Sequence, residues 1–96
     1  ENSIYLLGAF DNSKLVGFIR CVGDGEHILL TQDLIVDSNY YRQGIGTKLF
    51  KAVSEKYKDV RTFCLFTDIH DVRDNEFYKS VEMVKIEEKD TISYIR

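Results

Sequence analysis

The chain has 96 residues, a hydrophobic fraction of 44% and a net charge of −3, values ordinary for one soluble globular domain. Its 16 acidic against 13 basic residues argue against a nucleic-acid backbone as the main partner. No apolar run approaches the ~20 residues of a membrane span, and no charged segment precedes an apolar one as in a signal peptide. We therefore predict a single domain over residues 1–96, cytoplasmic, without nucleic-acid or membrane partners.

The cysteines and histidines predict no metal site and no disulfide framework. Cys21 and Cys64 lie in separate apolar runs rather than in a CxxC or Cys/His cluster, so we expect two buried, reduced thiols. His27 and His70 have no spaced acidic or thiol companions, as metal ligation would require. We expect His27 to be exposed in a turn and His70 to cap a loop.

The first part of the chain predicts a meander of three antiparallel strands. β-branched and aromatic residues dominate residues 3–10 and 14–22, which are separated by the turn cluster Asp11-Asn12-Ser13. A Gly-Asp-Gly turn at 23–25 then leads to a third strand over residues 28–36.

A helix and a parallel strand are predicted next. Apolar residues recur at helical spacing, namely Ile45, Leu49, Phe50, Val53 and Tyr57. The continuous apolar run at 62–66 is typical of a strand covered on both faces, which gives a right-handed parallel unit over about 28–67. Asp71 is expected to cap a further helix, with Asp74 in the capping-box position. Alternating residues at 81–86 and 91–95 predict a last hairpin.

Two glycines at the start of the first helix indicate a ligand site. Gly44 and Gly46 each cost ~1 kcal/mol relative to alanine in a helix, and close approach of a ligand to the backbone explains that cost. Glycines leave the unpaired N–H groups of the first turn accessible, and the helix dipole there favours negative charge. We therefore predict a pyrophosphate on residues 43–47, with Arg42 as supporting charge.

Two other phosphate-binding turns fit this segment less well. A P-loop requires Gly-Lys-Ser/Thr, whereas Gly46 is followed by Thr47 and Lys48 in the opposite order. A dinucleotide-binding turn requires a third small residue where Leu49 stands, and its first strand opens the domain rather than following two antiparallel strands.

The segment Tyr41-Arg42-Gln43-Gly44-Ile45-Gly46-Thr47, after the strand residues Leu34-Ile35-Val36, resembles the pyrophosphate loop of the GNAT superfamily of N-acetyltransferases. That loop reads Gln/Arg-x-x-Gly-x-Gly/Ala after a strand. Phe77 and Tyr78 match a helix of the family that carries Phe-Tyr before a Gly-Phe strand entry. The resemblance extends over most of the chain, from about residue 3 to residue 96.

The sequence departs from the family pattern at three positions and at its start. Tyr41 stands where Gln or Arg is usual, Asp71 where an Asn that contacts the cofactor is common, and Glu82 where Gly-Phe has its glycine. The first strand and two helices of the usual fold, which form much of the acceptor pocket, are expected to be missing.

The resemblance implies an α+β fold arranged as three α/β/α layers around a mixed, mostly antiparallel sheet with a central parallel strand-helix-strand unit. It implies transfer of an acetyl group from acetyl-CoA to a primary amine, by direct attack and without a metal. The acceptor would be a small molecule or a peptide, and a homodimer is compatible with this activity. The implied cofactor-binding residues are Leu34, Ile35, Val36, Arg42, Gln43, Gly44, Ile45, Gly46, Thr47, Asp71 and Tyr78.

Acetyl transfer needs a base and an acid. An alkylamine has a pKa of ~10.4 and must lose a proton before it attacks, and Asp33 on the third strand is the candidate base. A salt-bridged surface carboxylate is an equal interpretation of Asp33, and a water chain can replace a base. Tyr78 is the candidate acid for the leaving thiolate; the alternative is a partly buried tyrosine that bonds a carbonyl.

Several further hypotheses remain open at this stage. Tyr40 and Tyr41 either stack on adenine, border the acceptor or pack over the loop. Acidic residues suggest a cationic acceptor, although such runs are often solvated surfaces; they are Asp33, Asp68, Asp71, Asp74 and Glu76. The competing functions are a non-catalytic CoA-binding or sensor module and a small interaction domain that pairs through a sheet edge.

Overall fold

A computed structural model describes residues 3–96, with side chains from Tyr5 onward. The strands and helices are β1 (Ser3–Asp11), β2 (Lys14–Gly23), β3 (Ile28–Val36), α1 (Ile45–Lys56), β4 (Thr62–Leu65) and α2 (Val72–Ser80). Two short 3-10 helices cover Ser38–Tyr40 and Ile86–Lys89. The chain packs as two units, one ending at Phe66 and the other comprising Thr67–Arg96.

The first unit is a mixed sheet with strand order β1-β2-β3-β4. β1, β2 and β3 pair antiparallel, and β3 pairs with β4 in parallel. α1 makes the crossover between β3 and β4, as parallel neighbours require. The predicted α+β class, meander and parallel strand-helix-strand unit are confirmed, and β1 to β4 have the expected bounds to within one residue.

The core of this unit lies between α1 and one face of the sheet. Ile19, Cys21 and Leu29 of the sheet are buried, as are Leu49, Phe50 and Val53 of α1. Burial of each such side chain contributes about 1.5–3 kcal/mol to the stability of the fold. The buried side chains of α1 form one apolar stripe, which explains the helical spacing of apolar residues in the sequence.

Gly17 sets how closely the start of α1 approaches the sheet. A Cβ at this position would lie 3.2 Å from the carbonyl oxygen of Ile35 and 3.2 Å from Cγ2 of Ile45. The missing side chain therefore lets the first residue of α1 pack directly onto β2, beside the end of β3. This contact places the N-terminus of α1 at the carboxyl end of β3.

β3 carries a bulge near its middle and parts from β4 at the same level. Arg20 pairs with Asp33 but Cys21 pairs with Thr31, so Gln32 is an extra residue on β3. The pairing of β3 with β4 runs from Ile28–Thr62 to Thr31–Leu65 and goes no further. Past Thr31, β3 is thus paired with β2 alone.

Two predictions about the first unit need correction. Phe63, Cys64 and Leu65 of β4 are half-buried rather than covered on both faces, so the apolar run marks the strand but overstates its burial. Of the cysteines, Cys21 is fully buried and Cys64 is half-buried, and both are free thiols.

The second unit contains α2 and no sheet among its described residues. Asp71 caps α2, accepting a hydrogen bond from the Asp74 N–H at 2.9 Å, as predicted. The capping box is only half formed, because the Asp74 carboxylate instead accepts from the Thr67 hydroxyl at 3.3 Å.

The predicted hairpin over 81–86 and 91–95 is wrong. Residues 86–89 form a 3-10 helix, and residues 91–96 have no regular secondary structure. Glu82 has a φ of 69° and Asp90 a φ of 57°, and such left-handed residues interrupt the extended geometry of a strand. Alternation alone was therefore an insufficient signal.

Candidate functional site

The glycine turn that precedes α1 contains two residues with positive φ. Arg42 has a φ of 67° and Gly44 a φ of 78°, so left-handed residues stand on both sides of Gln43. Turns of this kind point successive N–H groups to one side and bind anions. A Cβ on Gly44 would meet no atom within 4 Å, so the glycine is required there by its backbone conformation.

The first turn of α1 leaves its amides available. Gly44 is the N-cap and supplies no side-chain cap. The first intrahelical bond runs from the Lys48 N–H to the Gly44 carbonyl at 2.9 Å, so the N–H groups of Ile45, Gly46 and Thr47 have no partner within the helix. Together with the helix dipole they favour a bound anion.

The end of β3 offers a second row of backbone groups. The Asp37 N–H donates to the Val16 carbonyl at 2.8 Å, and in an antiparallel pair alternate residues point towards the partner strand. Asp33 and Ile35 therefore direct their N–H and C=O groups to β2. Leu34 and Val36 direct theirs to the opposite edge, from which β4 has parted, and an extended ligand can bond there as an added strand does.

The structure thus brings together most of the residues predicted to bind the cofactor. Leu34 and Val36 offer strand amides, and the turn that follows β3 leads through Arg42 and Gln43 into the start of α1 at Gly44. Ile35 differs from its neighbours, because its backbone N–H and C=O groups face β2. Only its side chain, which is 53% exposed, is accessible to a ligand.

Asp33, the candidate base, lies beside Arg20, an arginine that no sequence motif indicates. Arg20 donates from Nε to Asp33 Oδ2 at 2.9 Å and from Nη2 to the same oxygen at 2.5 Å. Among the described residues, Oδ1 of Asp33 has no hydrogen-bond partner. The side chains are 46% and 33% exposed. The register of β2 and β3 places residues 20 and 33 opposite each other, so a correct prediction of this register from the sequence would have found the pair.

Tyr78, the candidate acid, lies on α2 in the second unit. Burial raises the pKa of its hydroxyl above the ordinary value, and the negative charges of Asp74 and Asp71 raise it further. The side chain is half-buried and packs edge-on against Phe77, with ring centroids 5.2 Å apart. The phenol therefore stays protonated at neutral pH.

The acidic residues before and within α2 serve local structure. Asp68 accepts from the His70 N–H at 2.8 Å, and Asp71 and Asp74 are occupied as described above. Asn75 donates to the carbonyls of Asp68 and Asp71 at 3.0 and 2.8 Å. Asp71 is engaged as the cap of α2. Its contact with a cofactor stays a prediction.

The remaining candidates are explained mainly by turns and packing. His27 is exposed and its Nδ1 lies 3.0 Å from Asp24, and His70 is exposed in a loop. The hydroxyl of Tyr40 donates to Asp11, which ties this tyrosine to the β1–β2 hairpin, and its predicted contacts with adenine or the acceptor stay predictions. Within residues 3–96 there is no group of three or more side chains that could hold a metal ion. None of the described helices is long and apolar enough to span a membrane.

Comparison with known proteins gives one family. The model of the acetyltransferase (GNAT) domain matches residues 2–82. Among curated proteins no significant match is found.

Solved structures with the same fold include three informative examples. A GNAT-family acetyltransferase from Streptococcus pneumoniae is 34% identical, with a TM-score of 0.85 over 95% of this chain and 68% of its own. An aminoglycoside acetyltransferase from an uncultured soil metagenomic sample, solved with sisomicin, is 24% identical, with a TM-score of 0.78 over 100% of this chain and 64% of its own. An aminoglycoside N-acetyltransferase solved with CoA is 13% identical, with a TM-score of 0.76 over 97% of this chain and 75% of its own.

The first of these supports the family as well as the fold, and the other two support the fold alone. The chain spans about two thirds to three quarters of the length of these three proteins.

Proposed function

The chain belongs to the GNAT family of acetyltransferases, and from that premise we propose that it transfers an acetyl group from acetyl-CoA to a primary amine. The observation that carries this proposal is a row of backbone amides in the first unit, which has two parts. Leu34 and Val36 on the open edge of β3 form the first part, and the N–H groups at the start of α1 form the second. Between them lie N–H groups that are bonded within the protein, those of Asp37, Asn39, Tyr40 and Tyr41.

This row fits the chemistry of a CoA thioester. The diphosphate is an anion, and the amides of Ile45, Gly46 and Thr47 supply unpaired donors at the positive end of a helix dipole. Arg42 adds a cationic side chain next to the turn. The amides of pantetheine match the alternating donors and acceptors that Leu34 and Val36 present.

The thioester supplies an activated acetyl group and a thiol leaving group. In the proposed mechanism a backbone N–H of β3, at the bulge where the strands part, stabilises the negative charge that develops on the attacked carbonyl oxygen. The amine nitrogen forms the new C–N bond as the C–S bond breaks. As the C–S bond breaks, Tyr78 donates its hydroxyl proton to the sulfur. This transfer is uphill, because the pKa of a thiol, ~8.5, lies below that of a phenol, and the second proton of the amine nitrogen, released as the amide forms, restores the hydroxyl.

The ammonium form of the acceptor must first lose a proton. We propose Asp33 for this step, acting through Oδ1, because Arg20 already engages Oδ2. Arg20 fixes the orientation of the carboxylate, and the exposed surroundings of the pair let an amine or an intervening water approach.

The acceptor class is proposed as a small-molecule or peptide amine. The acceptors to be assayed are aminoglycosides, polyamines, amino acids and N-terminal peptides. Aminoglycosides are included because aminoglycoside acetyltransferases have the same fold. The assay follows release of the CoA thiol. Binding of CoA without thiol release from any acceptor would favour the non-catalytic binding module instead.

Acetyl-CoA binding is the first test. Ligand at about 100 times its Kd adds about 2.7 kcal/mol to the stability of the folded state, which raises the melting temperature by about 10–20 °C in a domain of this size. The Gly46→Trp variant should fold but lose this shift, because the indole fills the space in front of the amides. Lys51→Trp, at an exposed position of the same helix, is the matched control and should keep it. No shift in the wild type would overturn the proposal.

A further inference from the structure

The loop that leads into the glycine turn is tied to the tip of the β1–β2 hairpin. Asp11 and Lys14 form the last pair of that hairpin, and Asp37 and Tyr40 lie in the loop after β3. Three side-chain contacts join these residues, which we call the hairpin brace: Asp11, Lys14, Asp37 and Tyr40.

Two of the contacts involve Tyr40, the last residue of the 3-10 turn. Its hydroxyl donates to Asp11 Oδ2 at 2.7 Å, across 29 residues of sequence. The ammonium of Lys14 lies 5.5 Å from the centre of the Tyr40 ring, within the range of a cation–π interaction. The hydrogen bond to a carboxylate also raises the pKa of Tyr40, which keeps the donor proton in place.

The other contacts hold the start of the same turn. Lys14 Nζ lies 3.7 Å from Asp37 Oδ2, and Asp37 Oδ1 accepts from the Asn39 N–H at 2.9 Å. The Asp37 N–H is itself bonded to Val16 of β2. Both ends of the Ser38–Tyr40 turn are thus anchored to one hairpin.

The brace ends immediately before the strained part of the loop. Arg42 is two residues beyond Tyr40 and adopts a positive φ of 67°, which costs a non-glycine residue about 1–2 kcal/mol. A strained residue persists when its surroundings fix the chain on both sides. Here α1 fixes the chain after the turn, and the brace fixes it before the turn.

We propose that the hairpin brace is a positioning device for the diphosphate of CoA, a role that rests on the proposed function of the glycine turn. Asp11 and Tyr40 act on the ligand only through the loop that they hold. Without them the loop samples other conformations, and the apparent Kd rises by the inverse of the fraction that remains competent. Preorganisation of this kind changes affinity without any direct contact.

The test is a double-mutant cycle on CoA binding, measured by calorimetry. Tyr40→Phe removes the donor and Asp11→Ala removes the acceptor, and each should raise the Kd for CoA roughly three- to tenfold, the equivalent of one hydrogen bond. The double variant should be no worse than the single variants, because both act through one contact. Asp11→Asn keeps an acceptor oxygen and should restore most of the affinity.

Two controls separate positioning from general destabilisation. Asp24→Ala disrupts the turn between β2 and β3, which is not part of the brace, and should lower the melting temperature while the Kd for CoA stays unchanged. Binding of pantetheine, which lacks the diphosphate, should be unaffected by Tyr40→Phe.

The outcomes distinguish this inference from the function on which it rests. If the wild type binds CoA and the brace variants bind it equally well, or lose pantetheine to the same extent, the positioning role is overturned and the proposed function stands. If the wild type binds no CoA, both are overturned.

Discussion

Arg20 and Asp33 face each other across β2 and β3 at the bulge, and both guanidinium contacts fall on one carboxylate oxygen. This geometry shows the salt-bridged interpretation of Asp33, and its role as the base stays a proposal. Oδ2 is held in a cross-strand ion pair, while Oδ1 is directed elsewhere and has no partner among the described residues.

Asp33→Asn should lower kcat/KM for the amine by about 10²-fold or more, because general-base catalysis contributes roughly 10²–10⁴. Its Kd for CoA should stay unchanged, since the carboxylate is not part of the amide row. Arg20→Met is the companion variant and should cost less, as it removes orientation and leaves the base. Full activity of Asp33→Asn would assign proton removal to a water chain.

Tyr78→Phe should reduce kcat by about 10²–10⁴ and leave the KM for acetyl-CoA close to that of the wild type, since the hydroxyl acts on the leaving group. Because burial and two carboxylates raise its pKa, wild-type activity should not fall through ionisation of Tyr78 until the pH exceeds the ordinary tyrosine value of ~10.

Tyr94→Phe is the matched control for this prediction. Tyr94 lies in the same unit and is 91% exposed, so the loss of its hydroxyl should change neither constant. Equal kcat values for Tyr78→Phe and the wild type would remove Tyr78 from the mechanism.

Glu82→Gly should stabilise the end of α2. Glu82 has a φ of 69° and its N–H donates to the Lys79 carbonyl, while the Met83 N–H donates to the Tyr78 carbonyl at 2.9 Å; these are the two bonds of a Schellman motif. Glycine removes about 1–2 kcal/mol of strain from the left-handed backbone, but its greater freedom in the unfolded chain costs about 0.5–1 kcal/mol. The free energy of unfolding should therefore rise by roughly 0.5–1 kcal/mol.

Thermal melting and hydrogen exchange of the α2 amides measure this gain. Glu82→Ala removes the same charge but keeps the strain, so it should give no increase in melting temperature. A rise of equal size in both variants would attribute the effect to charge instead of backbone conformation.

Asp24→Asn should lower the stability of the protein at neutral pH, and its effect should decrease progressively in acid. The Asp24 carboxylate accepts from the N–H groups of Glu26, His27 and Ile28 at 2.8–3.1 Å, and these bonds, with a further one from the His27 ring, hold its pKa well below its usual range. A depressed pKa stabilises the fold above the unfolded value of ~3.9, and that contribution is lost as the pH falls below it.

Melting temperatures of both proteins between pH 7 and pH 2 measure the effect. The curves should lie apart above pH ~4 and approach each other below it, because Asp24 of the wild type takes up a proton in the unfolded state before it does so in the folded state. A constant separation over the whole range would show that charge on Asp24 is not what stabilises the turn.

Much of the first unit was predictable because its signals are local. The strand over residues 28–36 and the helix from Ile45 follow from residue type and periodicity. The two glycines pointed to a ligand through their expected cost in a helix, but only Gly46 lies within α1, whereas Gly44 is its N-cap with a positive φ. The Asp71 cap of α2 was equally visible, since a cap depends on residues three positions apart.

The final hairpin shows where such reasoning fails. Residues 81–86 and 91–95 alternate as strands do, yet a strand also needs a partner to satisfy its backbone groups. The left-handed backbone at Glu82 belongs to the C-terminal cap of α2. The alternation of apolar and polar residues does not predict such a cap.

The amino-acid sequence by itself determined the order of strands and helices up to α2, the glycine turn before α1 and the family to which the chain belongs. Only the tertiary structure decided that Leu34 and Val36, rather than Ile35, direct their amides to the open edge of β3, that Arg20 holds one oxygen of Asp33, and that Asp11 and Tyr40 meet. The reason is physical: periodicity and capping act between near neighbours in the chain, whereas bulges, strand register and hairpin contacts join residues that only folding brings together.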